Sequence, residues 1–596
     1  MFKPTYLNRY KPLALAVSAC LLAACGGGGG GTASAPVTPA PTPTTPVTPT
    51  TPAPAPLPYT VMPMRAEANT LSVGGCDDST SNTGLAFSNV SMAAGLCYEV
   101  ATSSEDGIPA RVAGGIAVHD INADGMLDVY VTHGRNTNGK LFTLGSGDNF
   151  SDVTESAGIA ISATDHSTAF IDVDRDGLSD LLSLQEAEPW IQVYKNNGDG
   201  QFSEISESVD LSLSKAAYSV AAGDIDGDED LDIFFAHWDP ENEQSRWEFL
   251  FQNTGANSFA DISDMVELED FDANDTEAFA DQFSFTPIFA DINKDQLPDL
   301  LLAADWSTSQ VLMNNGDNNF VDQTLPVVIN DRAGMGATVA DYDNDGDLDW
   351  FVSAIGDTRE EFLTIGLFDG NRLYQNDGDG NFLNMTDYAD VRQGYWAWGT
   401  CFADVNNDGY DDLLVVNGYN GWTEEQAQSG NFTQFISTPA RLYINQKDGT
   451  FSEESEAMGI DHTYMGRGLA CYDYDRDGDI DFLIANSGES PTLYRNDSAA
   501  EGKGFINIKL NGLPLNPSAV GAKIYVTAGE LSMFKELQLG NHYVSQNPIE
   551  AHFGLDSATE IDEIRIVWPG LAAQETVITG VEANQFIQID HPDLAD

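Results

Sequence analysis

The stretch DYDNDGDLD, residues 341–349, decides the fold, because the chain repeats it. Copies read DINADGMLD from Asp120, DVDRDGLSD from Asp172, DIDGDEDLD from Asp224 and DINKDQLPD from Asp291. DVNNDGYDD from Asp404 and DYDRDGDID from Asp473 bring the number to seven. Successive copies lie 52, 52, 67, 50, 63 and 69 residues apart, which marks a repeat architecture. Each interval holds a second element, such as VYKNNGDGQF (193–202) or LYQNDGDGNF (373–382), that reads as strand, tight turn, strand. One repeat therefore predicts four short strands, A to D, with the acidic loop between A and B. Four-stranded units repeated radially build a β-propeller, so the expectation is an all-β, seven-bladed propeller over residues 86–500.

Ring closure is legible too. Phe150, Phe202, Phe259, Phe320, Phe382 and Phe451 open strand D in six repeats, but no such strand follows Leu493-Tyr494 in the seventh. Upstream, FSNVSMAAGL (87–96) matches FSDVTESAGI (150–159), the outer strand of the first repeat. The N-terminal copy is expected to complete the seventh blade and latch the ring.

Positions 1, 3, 5 and 9 of each acidic loop can converge on one point. They are Asp120, Asn122, Asp124 and Asp128; Asp172, Asp174, Asp176 and Asp180; Asp224, Asp226, Asp228 and Asp232; and Asp291, Asn293, Asp295 and Asp299. The last three loops offer Asp341, Asp343, Asp345 and Asp349; Asp404, Asn406, Asp408 and Asp412; and Asp473, Asp475, Asp477 and Asp481. Oxygen-only ligands without His or Cys select a hard cation, and irregular geometry favours calcium over magnesium. Glycine at position 6 supplies the positive φ that turns the loop back; Glu229 and Gln296 break that pattern. Seven structural calcium ions are expected. No loop sets a nucleophile or general base beside the ion, so a catalytic role is not expected.

These seven motifs resemble the FG-GAP/VCBS repeats of integrin-α-type propellers. Beyond them, residues 505–591 lack the acidic motif and alternate as the strands of a small β-sandwich-like domain. NPSAVGAKIYVTAG (516–529), YVSQNPIEAHFGL (543–555) and VWPG (567–570) resemble the ASPIC/UnbV module, although VWPG lacks the serine expected after its proline. That module follows such propellers in cartilage-acidic-protein-like proteins. The resemblance implies a surface protein without an established enzymatic activity.

Lys3, Arg9 and Lys11 precede the apolar run LALAVSACLLAA (13–24), which reads as a secretory signal over residues 1–24. Leu22-Ala23-Ala24-Cys25 resembles the bacterial lipobox, implying cleavage before Cys25 and its lipidation. Residues 25–58 are a Gly/Pro/Thr-rich tether that cannot pack a core, with 59–85 as a lead-in segment. An outer-membrane lipoprotein follows, surface-exposed or periplasm-facing, held by its lipid anchor and monomeric. No later run is long and apolar enough for a spanning helix. A net charge of −67 excludes nucleic acid as a partner. In an export compartment Cys76–Cys97 is the local disulfide pairing, and Cys401–Cys471 a candidate bridge between neighbouring inner strands.

Long insertions fall on the B–C and D–A loop face, opposite the acidic loops, and variable loops on a rigid scaffold carry recognition. Candidate ligand-face residues are His133, His237, Trp238, Trp306, Asn417 and Trp422. The expected function is a calcium-stabilised surface binding or adhesion module for a protein or glycan. Two alternatives stand beside it. One is an envelope enzyme or metal-handling protein using His133 and His237 at the propeller mouth; the other is an envelope assembly scaffold. The absence of G-x-S-x-G, H-E-x-x-H, P-loop and dinucleotide motifs disfavours the enzyme. Cys25→Ala should abolish lipid labelling of the chain in cells, and undiminished labelling would refute the anchor.

Overall fold

Each acidic repeat folds into one four-stranded antiparallel sheet. The computed structural model describes residues 57–64, 76, 86–98, 100, 112–133, 138–161, 164–238, 248–266, 283–316, 319–356, 368–419, 432–498 and 502–595. Cys25, Trp422, residues 1–24 and nearly all of the tether lie outside them. Strand accounts for 46% and helix for 5%. In the fifth repeat the strands are Gly334–Ala340, Asp349–Ala354, Arg372–Asn376 and Phe382–Asn384. The first two are buried throughout, because neighbouring sheets cover both of their faces. The outer strand buries Phe382 and exposes the two residues after it. The strand D phenylalanines of the other repeats are buried in the same way.

Seven such sheets stand in a ring. Their innermost strands neighbour one another in chain order, and Gly466–Tyr472 of the last returns to Ile116–His119 of the first. Phe87–Asn89 supplies the fourth strand of the last sheet, pairing antiparallel with Glu489–Asn496. There the Phe87 ring stacks on Phe482 at 4.8 Å. Cys76 is bonded to Cys97, with Cα atoms 5.4 Å apart. Cys401 is bonded to Cys471, joining the innermost strands of the sixth and seventh sheets.

The C-terminal module is a sandwich of two four-stranded sheets. One is ordered Leu531–Glu536, Lys523–Ala528, Glu560–Val567, Glu575–Glu582. The other is ordered Thr60–Met62, Gln585–Asp590, Phe505–Asn511, Ala551–Gly554, with its central pair parallel. Their apolar faces share one core that includes Ile508, Ile524, Ile564 and Trp568. Two strands lie at the edges of these sheets. Glu575–Glu582 buries Ile578 and Val581 and leaves Val577 exposed. Thr60–Met62 is a short exposed edge strand taken from the lead-in segment, so the module draws on both ends of the described chain.

The latch carries a prediction. Phe87 is fully buried, and truncating such a phenylalanine costs about 3–5 kcal/mol. Phe87→Ala should therefore shift the denaturant midpoint strongly downward; an unchanged midpoint would mean that the ring closes without its N-terminal strand.

Candidate metal loops and the filled channel

The acidic loops share one internal geometry. In the fifth blade the N–H groups of Asp345 and Gly346 donate to the two oxygens of Asp341, at 2.9 and 3.0 Å. The same pair of bonds recurs at Asp120, Asp172, Asp224, Asp291, Asp404 and Asp473. Position 6 is left-handed in every loop, including Glu229 and Gln296. Position 4 is left-handed as well, at Ala123, Arg175, Gly227, Lys294, Asn344, Asn407 and Arg476. The third blade thus exchanges its glycine from position 6 to position 4.

Four loops bring three carboxylates together with oxygens within 4.8 Å of one another. They are Asp172, Asp174 and Asp180; Asp224, Asp226 and Asp232; Asp341, Asp343 and Asp349; and Asp473, Asp475 and Asp481. The other three carry asparagine at position 3, and no three-carboxylate group of that closeness occurs there among the described residues. Burial, with repulsion from neighbouring carboxylates, pushes Asp172 up to about 6 and Asp341 up to about 8. In the fifth blade Asp349 Oδ2 is buried with no hydrogen-bond partner. A buried carboxylate oxygen without a donor is costly, and a cation at that point would satisfy it. These residues fit a hard divalent ion.

Position 9 has a second duty that sequence reasoning missed. Asp128, Asp180, Asp232, Asp299, Asp349, Asp412 and Asp481 each accept a strand C N–H, at 2.7–2.9 Å. In six blades the donor is an asparagine. Five of these side chains, Asn196, Asn314, Asn376, Asn445 and Asn496, then donate to a carbonyl in the loop of the preceding blade. Asn253 instead accepts from Arg175 of the second loop. The signal was present in the sequence: an asparagine at the same point of six C–D hairpins.

The C-terminal module sits on this acidic face. Lys535 pairs with Asp411 at 2.6 Å, Arg476 with Glu550 at 2.7 Å, and Lys523 with Asp291 at 2.7 Å. His552 Nε2 meets Asn407 Oδ1 at 2.7 Å. From the module, residues 539–547 enter the central channel and touch every blade. Gln546 pairs with Ala117, Leu539 with Ala222, and His542 N–H donates to Ala337. Phe170 N–H donates to Gln546, and Cys471 N–H to Asn547. The Tyr543 ring lies 5.6 Å from Phe285 and 5.2 Å from Trp398.

The sequence candidates for the opposite face separate by burial. His133 is buried against Tyr98, whose hydroxyl meets its Nε2, and burial pushes the imidazole down to about 4. His237 is buried against Phe249 and pushed down to about 3. Asn417 is buried with its amide on the Pro439 carbonyl. Trp238 is half-buried, stacked on Phe285, and its Nε1 reaches Asp305 at 3.4 Å. Trp306 is 41% exposed.

The raised loop carboxyls set a pH dependence. A carboxyl whose folded pKa is raised binds its proton more tightly when folded, so its stabilising contribution fades as pH rises through that pKa. With divalent ions chelated, the melting temperature should fall by several degrees from about pH 6 to about pH 8.5, and calcium should restore it. Melting that is flat or rising across that window in chelator would show that the loops are not charge-strained.

Comparison with known proteins agrees with this architecture. FG-GAP-like repeat models match residues 120–183, 172–235, 291–352 and 355–415, and the ASPIC and UnbV model matches 512–595. Cartilage acidic protein 1 of Homo sapiens is 24% identical over 300 residues, covering 47% of this chain and 40% of that protein. The Mus musculus protein is 23% identical over 303 residues, covering 48% and 41%. The chain thus spans about two fifths of the length of these relatives. An Agrocybe aegerita protein, described for specific recognition of non-reducing terminal N-acetylglucosamine, aligns with a TM-score of 0.39 and 15% identity. That alignment covers 63% of this chain and 86% of that one. YCF48 bound to D1 peptide aligns with a TM-score of 0.35 and 8% identity, covering 67% and 98%. The chain carries FG-GAP-like repeats followed by an ASPIC/UnbV domain.

Proposed function

We propose that the protein is a calcium-stabilised binding module that presents its B–C and D–A loop face to a protein or glycan. One observation carries this reading: the C-terminal module covers the acidic face and fills the channel from that side. The surface left for a partner is the opposite one. It offers Trp306 on the B–C connection of the fourth blade, with Leu325 and Val327 on the D–A connection that follows. Val327 is 84% exposed, and exposed apolar and aromatic side chains on a rigid scaffold suit recognition. The filled channel and the burial of His133 and His237 favour binding over chemistry at the propeller mouth. Calcium would be held by the position 1, 3, 5 and 9 side chains, with its role structural. Lipidation at Cys25 would fix the monomeric protein to the outer membrane, with the tether holding the ring away from the lipid.

The test is a panel of glycans and envelope proteins offered to the purified protein with and without EGTA. A partner bound through this face should lose about tenfold or more in affinity on Trp306→Ala. Any partner whose affinity is unchanged in Trp306→Ala, Leu325→Ala and Val327→Ala binds elsewhere and would overturn the assignment.

A further inference from the structure

The seven acidic loops are not chemically equivalent, and the fourth combines three features. The first concerns its first carboxylate. Asp291 Oδ2 accepts the Gln296 N–H at 2.9 Å and also the Lys523 ammonium at 2.7 Å. A carboxylate oxygen has two lone pairs, so both are taken. Lys523 belongs to the C-terminal module and is 7% exposed; Asp291 is 3% exposed. The lysine also reaches Gln296 Oε1 at 3.5 Å and Glu536 Oε2 at 3.9 Å. Glu536 in turn accepts the Asp291 N–H.

The second is at position 3. Asn293 spends both ends of its amide inside the loop: Oδ1 accepts the Asp295 N–H at 2.9 Å, as position 3 does in the first three loops, and Nδ2 donates to Asp295 Oδ2 at 3.0 Å. The third is on strand C. In the second, third and fifth blades the residue before the bridging asparagine donates to the position 3 carboxylate: Lys195 to Asp174, Gln252 to Asp226, and Gln375 to Asp343. The fourth blade has Met313 there, as the sixth has Ile444. Its loop therefore receives no donor from that position of its own blade and takes a buried cation from another module.

Lys195 shows why burial matters. It also contacts the carboxylates of Asp174 and Asp176, but it is 29% exposed. An arriving divalent ion can displace it into water. Lys523 has no such exit: leaving Asp291 would strand a buried ammonium or pull the module off the blade.

We propose that the Asp291 loop is a socket for Lys523 rather than a calcium site, and that this pair locks the C-terminal module to the propeller. The inference rests on the reading of the other loops as calcium sites. Calcium bound per full-length chain is measured after equilibrium dialysis for wild type, Asp345→Asn and Asp295→Asn. Asp345→Asn should lower the count by one, and Asp295→Asn should leave it unchanged. In parallel, Lys523→Met, which keeps the length and removes the charge, should speed hydrogen exchange in 523–528 and in the 291–299 loop. A one-ion loss in Asp295→Asn would overturn the socket, as would exchange in Lys523→Met that matches wild type. A wild-type chain that binds no calcium would overturn the calcium reading instead, and the exchange measurement would still decide the lock.

Discussion

The carboxylate at position 9 of each acidic loop is the bond on which the ring depends. It opens strand B, accepts a strand C N–H through one oxygen, and in five blades accepts the position 2 N–H of its own loop through the other. Strands B and C, and in those five blades the A–B loop as well, are thereby fixed by one side chain. The asparagine that carries the strand C donor then reaches the preceding loop in five blades. Loop shape, blade shape and blade-to-blade spacing are therefore one mechanical unit. Burying a carboxylate is costly unless it is bonded or neutralised, which explains why these acids are met by N–H groups on one side and cluster with other acids on the other. An ion bound at that cluster would act on the whole unit.

A ring of sheets leaves a second problem at its axis. The inner edge of every innermost strand carries backbone groups without a ladder partner, and a channel lined by them must be solvated or filled. Residues 539–547 fill it. The segment reads LGNHYVSQN, rich in short polar side chains, and it spends them on the backbone: Ser545 and Gln546 accept the Ile116 and Phe170 N–H groups. His542, Tyr543 and Val544 are all left-handed, a run that L-residues adopt only where the surroundings impose it. Contact with all seven inner strands is that imposition. The C-terminal module is thus a structural part of the propeller. Thr60–Met62 binds the N-terminal side of the described chain to the same module.

Much of this was legible in the sequence, and the remainder was not for identifiable reasons. Periodic motifs and the displaced FSN strand gave the sheets and the closure, because both depend on local pattern and on a matching copy elsewhere in the chain. The bridging asparagines were visible but read as turn residues, since the hairpin explains an asparagine without any second role. Contacts between the module and the acidic face left no periodic trace: Lys523 and Asp291 are far apart in the chain, and nothing local couples them. The channel segment lay within a stretch recognised by resemblance, yet resemblance does not say where a loop points. His133 and His237 attracted notice as titratable groups at equivalent places, but the end of strand B is an interior position in this fold, and all seven residues at that place are buried.

Backbone strain shows how one motif tolerates such variety. Each loop needs left-handed residues at positions 4 and 6, and a side chain there costs on the order of 1 kcal/mol. Five loops place glycine at position 6 and accept a non-glycine residue at position 4; the third does the reverse. Either arrangement leaves one strained residue. The fourth loop alone has two, Lys294 and Gln296. Both strained residues make contacts outside the loop: the Gln296 side-chain oxygen faces Lys523, and Lys294 pairs with Asp347 of the next blade, as position 4 reaches position 7 of the next loop at Arg175–Asp230 and Asn407–Asp479. Glycine at either position would relieve the backbone but remove a contact to a neighbouring element. The strained loop is therefore held on two sides, by Lys523 of the C-terminal module and by Asp347 of the next blade.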